Sequence, residues 1–166
     1  MSGDLAEPVL RPAAEAIEVD IAIAASARAA PSETRTVIAR AIHAAAAAMR
    51  SSGTVSVLVE NDAAIRVLNR QWRGIDKPTN VLSFPPATMP SRAAKYLGDI
   101  AISYETVMRE AQTAARPYAH HLAHLAIHGF LHLLGYDHQA DLAAEEMEEL
   151  ERNILNGLGI PDPYTS

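Results

Sequence analysis

Apolar and polar residues alternate from Ile17 to Ile23: Ile17, Val19, Ile21 and Ile23 share one side, Glu18 and Asp20 the other. A period of two marks a strand with one buried face. The pattern recurs from Thr54 to Glu60, through Val55, Val57 and Val59. Two shorter runs, Val81–Phe84 and Leu97–Ile102, predict two further strands, the first stopped by Pro85-Pro86. Between and after the strands the period lengthens. Ser32 is placed to cap an alanine-rich helix running to Arg50. Asn61 or Asp62 caps a second helix, carrying Ile65, Leu68 and Trp72 and closed by Gly74. Ser103 caps a third, to about Ala115. Pro117 suits the first turn of a fourth, which runs to Leu134 with Gly135 at its C-terminal cap. A last helix spans about Ala140 to Asn156, before Gly157, Gly159 and Pro161.

The order β-α-β-α-β-β-α-α-α predicts an α+β fold in a single domain, a small mixed four-stranded sheet packed with about five helices. With 166 residues the chain is long enough to bury one core. The expected boundaries are a flexible tail over 1–15, the domain over 16–162 and a C-terminal tail over 163–166. Residues 85–96 read as a loop. No internal repeat interrupts this plan. The first residues lack the basic start and apolar core of a signal peptide, and no run of about 18 apolar residues exists, so no membrane partner is expected. A cytoplasmic location fits this, as does the absence of cysteine.

Composition narrows the chemistry. With no cysteine, a metal must be held by His, Asp or Glu. A net charge of −6 argues against general coating of nucleic acid, though not against a local basic groove. The acids Glu145, Glu146, Glu148, Glu149 and Glu151 read together as a solvated helix face.

The candidate chemistry lies in His128-Gly129-Phe130-Leu131-His132-Leu133-Leu134-Gly135-Tyr136-Asp137-His138. Residues four apart on a helix share a face, so His128 and His132 can reach one ion. Gly135 can take a left-handed conformation that turns the chain back and brings His138 to the same ion. Three ligands leave the fourth position of a divalent metal at the end of a central helix for water or substrate, the mark of a catalytic site. Asp137 is either an outer partner of a ligand imidazole or a turn aspartate. The spacing matches the metzincin protease motif, but Gly129 stands where that motif has its glutamate base. Metal binding survives this change and peptide hydrolysis is undermined. His121 and His124 continue the stripe upstream; His124 is placed to line the approach or move a proton, or else to make a polar contact at the helix surface.

Arg66, Arg70 and Arg73 fall on one helical face, followed by Lys77. Arg66 and Arg70 read as a solvated face. Arg73, beside Gly74 at the helix end, can point over a cleft, where its guanidinium fork suits phosphate. The segments Leu68–Gly74, Asp76–Pro85, Leu97–Ile100 and His128–His138 together resemble the YbeY family of bacterial endoribonucleases. Trp72 stands where tyrosine is more usual in that family.

The resemblance implies a zinc ion on His128, His132 and His138, with His128 and Arg73 as catalytic residues. It implies cleavage of single-stranded RNA in ribosomal RNA maturation and ribosome quality control. Ribosomal proteins or small-subunit assembly factors are the partners it suggests. Either water or the RNA 2′-hydroxyl could be the nucleophile. The alternatives are a metal-dependent hydrolase of another substrate and a non-catalytic ribosome-assembly factor with a structural metal. The open fourth position argues against the latter, unless Asp137 supplies a fourth ligand.

Overall fold

The computed structural model describes residues 16–86, 95–137 and 140–165. The expected tail over 1–15, most of the 85–96 loop, and His138 lie outside the described residues.

Among the described residues, four strands form one sheet: β1 (Ile17–Ile23), β2 (Gly53–Glu60), β3 (Val81–Phe84) and β4 (Tyr96–Ser103), in the order β1-β2-β4-β3. The first three neighbours run parallel, with Ile17 opposite Gly53 and Val59 opposite Ile102, and β3 pairs antiparallel with β4 through Val81 and Ile102. The sheet is therefore mixed, as expected. Among the same described residues, five α-helices complete the α+β domain: α1 (Thr34–Met49), α2 (Asp62–Arg73), α3 (Tyr104–Thr113), α4 (Tyr118–Leu133) and α5 (Asp141–Gly157).

The alternation of β2 is realised: Val55, Val57 and Val59 are buried and their neighbours are only half-buried. Together with Ile100 and Ile102 of β4 they meet α1 and α4 in the main core, where Phe130 and Ile127 are fully enclosed. Each such side chain stabilises the fold by about 1.5–3 kcal/mol relative to exposure. A smaller core of Ile65, Leu82 and Ala101 lies on the opposite face and seats α2. The apolar stripe of α2 thus needed a second face of the sheet, while α4 sits between the sheet, α1, α3 and α5.

Two of the three helix starts that the sequence assigned to short polar caps have them. Asn61 accepts from the Ala64 amide and Ser103 from the Thr106 amide. Asp62 then ties the two starts together, accepting from Ser103 Oγ at 2.5 Å and Thr106 Oγ1 at 2.6 Å. Ser32 does not cap α1: the cap position is Glu33, without a side-chain bond. Pro117 is the cap residue of α4, just ahead of the first turn where the sequence placed it. A short 3-10 turn at Ala25–Ala27 carries no periodicity that would announce it.

Gly129 sits where a side chain would crowd the sheet. A β-carbon there would lie 3.1 Å from Val81 Cγ2 and 3.2 Å from both Ile100 Cγ2 and Ser83 Oγ. Helix α4 rests on the sheet at this point, and Ser83 Oγ donates to the Gly129 carbonyl at 2.9 Å. The place of the protease glutamate therefore faces the sheet. Gly129→Glu is expected to destabilise the protein by roughly 3 kcal/mol or more, from overpacking and a buried charge. Chemical denaturation reads this directly; an unchanged midpoint would mean that α4 can lift from the sheet.

Candidate active site

His128 and His132 stand one turn apart near the C-terminal end of α4. Their rings are nearly perpendicular, with centroids 4.6 Å apart. Their Nε2 atoms face each other at 3.1 Å. Two corners of a tetrahedron with metal–nitrogen bonds of 2.0–2.1 Å lie about 3.3 Å apart, so the pair fits a zinc ion closely. The helix ends in the way that the glycine requires. Gly135 has φ +101°, its amide donates to the His132 carbonyl, and the Tyr136 amide donates to the Leu131 carbonyl. These two bonds reverse the chain past a left-handed residue. Tyr136 and Asp137 are thereby brought back to line the same cleft as the two histidines.

That cleft has a volume of about 730 Å³. Arg73, the last residue of α2, lines it together with Thr79, Asn80 and Ser83. Helix α2 and the end of α4 thus bring a guanidinium and two imidazoles to one cavity from opposite faces of the sheet. Arg66 is engaged elsewhere, paired with Asp76 at 2.8 Å, and Arg70 is exposed. Among the described residues no group of three metal-ligating side chains is assembled. His138, the third expected ligand, falls outside those residues.

The carboxylate behind His128 is Glu151, on α5. His128 Nδ1 donates to Glu151 Oε2 at 2.6 Å. A carboxylate can only accept, so Nδ1 carries a proton, and Nε2 is the ring atom turned to His132 in the cleft. The other oxygen, Oε1, accepts from His124 Nε2 at 2.8 Å and from the Tyr164 hydroxyl. Tyr164, in the stretch read as a tail, also stands edge-on to the His124 ring at 5.4 Å. His124 is thus a partner of Glu151, and His121 bonds Glu110 at 2.8 Å. The four-histidine stripe divides into two supporting residues and two that face the cleft.

Glu151 corrects the reading of the acidic cluster. Glu145, Glu146 and Glu149 are exposed, but Glu151 is completely buried. The signal was present. Glu151 lies four residues after Met147 and three before Ile154, both on the buried side of α5. A carboxylate on an apolar stripe asks for partners, and only the fold names them.

Burial pushes the Glu151 carboxyl up, but bonds from His124, His128 and Tyr164 and the His124 charge outweigh it and hold the group at about 2. Its folded value lies below the ordinary 4.5. The stabilisation is therefore complete above that value and is lost as pH falls towards 2. In metal-free protein, Glu151→Gln is expected to flatten acid unfolding across this window by on the order of 3 kcal/mol. Denaturant midpoints measured at successive pH values test it; parallel curves for the two proteins would refute it. Burial, and then the Glu151 carboxylate, pushes the Tyr164 phenol up, so it remains a donor at neutral pH.

Comparison with known proteins places the chain. Residues 20–159 match the family described as endoribonuclease YbeY. A Rhodopseudomonas palustris (strain BisA53) protein named endoribonuclease YbeY is 54% identical over 152 residues, covering 87% of this chain and 88% of the relative. A Bradyrhizobium diazoefficiens protein of the same name is 55% identical, covering 80% and 76%. A Thermotoga maritima protein solved in solution shares the fold at a TM-score of 0.55 and 22% identity, over 90% of this chain and 99% of its own. From the family match and these identities, the chain belongs to the endoribonuclease YbeY family.

Proposed function

We propose that the protein is a zinc-dependent endoribonuclease that cuts single-stranded RNA. The observation that carries this reading is the shared cleft: Arg73, His128 and His132 line one cavity of about 730 Å³. One group suits phosphate and the other two suit a metal, which is the pairing phosphodiester cleavage calls for. The names of the relatives support an RNA substrate.

In this reading His128, His132 and His138 hold the ion. Zinc, when bound, supplies Lewis acidity and lowers the pKa of water towards about 7. The chain does the rest. Arg73 holds the phosphate and offsets the negative charge that grows on it. Glu151 fixes the His128 tautomer, with His124 and Tyr164 fixing Glu151 in turn. Ser83 donates to the Gly129 carbonyl at 2.9 Å and so ties strand β3 to the helix at the cleft wall. The nucleophile is a water or the substrate's own 2′-hydroxyl; a cyclic phosphate among the products marks the second route.

Ribosomal RNA maturation and ribosome quality control in the cytoplasm are the setting we assign, with ribosomal proteins or small-subunit assembly factors delivering the substrate. A net charge of −6 supports delivery by a partner, because phosphate contacts are confined to a local cleft. Full-length protein stripped with a chelator is expected to lose cleavage of single-stranded RNA and to regain it with added zinc. Duplex RNA is expected to resist throughout. Equal cleavage before and after stripping would overturn the metal; equal cleavage of duplex would overturn the strand preference.

A further inference from the structure

Among the described residues, helix α2 covers only part of the sheet face on which it lies. Helix α2 seats over β3 and β4 through Ile65, Leu82 and Ala101. Beside it, a groove of about 980 Å³ runs over β1, β2 and β4. Its floor includes Asp20, Ser56, Leu58 and Asp99, and its wall is formed by Trp72 and Phe84. Arg73 and Ser83 line both this groove and the histidine cleft, so the two cavities share these residues.

We propose that this groove is a nucleobase subsite, which takes the bases next to the phosphate held at Arg73 and favours guanine over uracil. The proposal rests on the endoribonuclease reading and deepens it. Three features specify bases rather than backbone. The first is Trp72, which is 69% exposed although it is a large aromatic side chain. Phe84 meets it edge-on, with centroids 5.9 Å apart at 64°, which steadies the indole while most of it stays open to solvent. An aromatic ring held in this way is a stacking platform for any base of a single strand, each worth about tenfold in affinity.

The second feature is charge. Asp20 and Asp99 are exposed carboxylates on the floor. They repel phosphates and accept hydrogen bonds from ring and amino N–H groups. Guanine offers two such donors side by side and uracil offers one, which sets the preference. The Tyr96 hydroxyl donates to Asp99 Oδ1 at 2.5 Å and fixes that carboxylate in place. The third feature is continuity. A strand with its phosphate at Arg73 enters this groove directly, because Arg73 lines both cavities. The volume is near the upper end for small-ligand sites, so more than one base fits.

Trp72 is the only tryptophan in the chain, so its emission reports this groove alone. The experiment titrates full-length His128→Ala protein, which does not consume the probe, with short guanine-rich and uracil-only RNA oligonucleotides. We expect quenching by both, with about tenfold tighter binding of the guanine-rich RNA. Asp99→Asn should reduce that preference to within about twofold. In otherwise wild-type enzyme, Trp72→Ala should raise KM about tenfold and change kcat by less than about twofold. Emission that stays constant while a labelled oligonucleotide binds, as followed by anisotropy, would overturn the subsite. So would quenching by a Lys/Arg-rich peptide but not by RNA, which would make the groove a protein-docking surface. The two readings fail separately. Cleavage by wild type without quenching removes the subsite and leaves the nuclease. Quenching without cleavage by wild type does the reverse.

Discussion

Replacing His132 with alanine is expected to abolish zinc binding at stoichiometric metal and to lower RNA cleavage by about 10³-fold or more. The basis is geometric. His128 and His132 Nε2 atoms converge to 3.1 Å, and neither imidazole alone defines a point in the cleft. Losing one ligand from a three-histidine set forfeits the metal, and with it several kcal/mol of charge stabilisation in the transition state. His124→Ala is the informative control, because it lies on the same helical stripe but its Nε2 is engaged with Glu151 at 2.8 Å. It should weaken zinc by a much smaller factor, on the order of 10-fold, through the loosened support of His128. Metal content after gel filtration and cleavage of a single-stranded substrate are measured side by side. Full zinc occupancy in His132→Ala would show that the ion sits elsewhere. Equal losses in His124→Ala and His132→Ala would show that the whole stripe acts as one structural unit.

The helical stripe from His121 to His132 illustrates what the sequence could and could not express. Spacing alone put all four histidines on one face, and they do share it. What divides them is the neighbour on the next element. Glu110 of α3 takes His121, Glu151 of α5 takes His124 and His128, and the cleft is left to His128 and His132. Local signals were strong where the chain decides locally. Asn61 and Ser103 cap as short polar side chains do, β1 and β2 follow their period of two, and Gly135 turns the helix end back. Signals failed where a distant contact decides. Ser32 lost the cap of α1 to Glu33. Glu151 looked like its exposed neighbours until α4 supplied two imidazoles. The placement of β4 between β2 and β3 is likewise a tertiary outcome, since each strand alone carries the same apolar run. Gly129 lies between these cases. Its identity spoke against a protease, and the sheet packed beneath it explains why no side chain stands there.

Arg73→Ala is expected to lower cleavage by about 10² to 10³-fold while zinc content stays at the wild-type level. The separation of these two readouts is what distinguishes a phosphate-binding group from a support of the metal. Arg73 comes from α2, on the other face of the sheet from α4, and no ion pair holds it among the described residues, whereas Arg66 is held by Asp76 at 2.8 Å. It is the last residue of its helix, where the partial negative charge of the carbonyl end favours a cation without neutralising it. Its removal should therefore leave fold and metal site intact and subtract one fixed positive charge from the cleft. Arg73→Lys should recover only part of the rate, because an ammonium cannot grip two phosphate oxygens in one plane. Steady-state kinetics with zinc analysis on the same samples decide the matter. If Arg73→Ala loses zinc in step with activity, the arginine acts through the metal site. If activity and zinc both persist, the phosphate is held elsewhere and the cleft shared by α2 and α4 is not where RNA is cut.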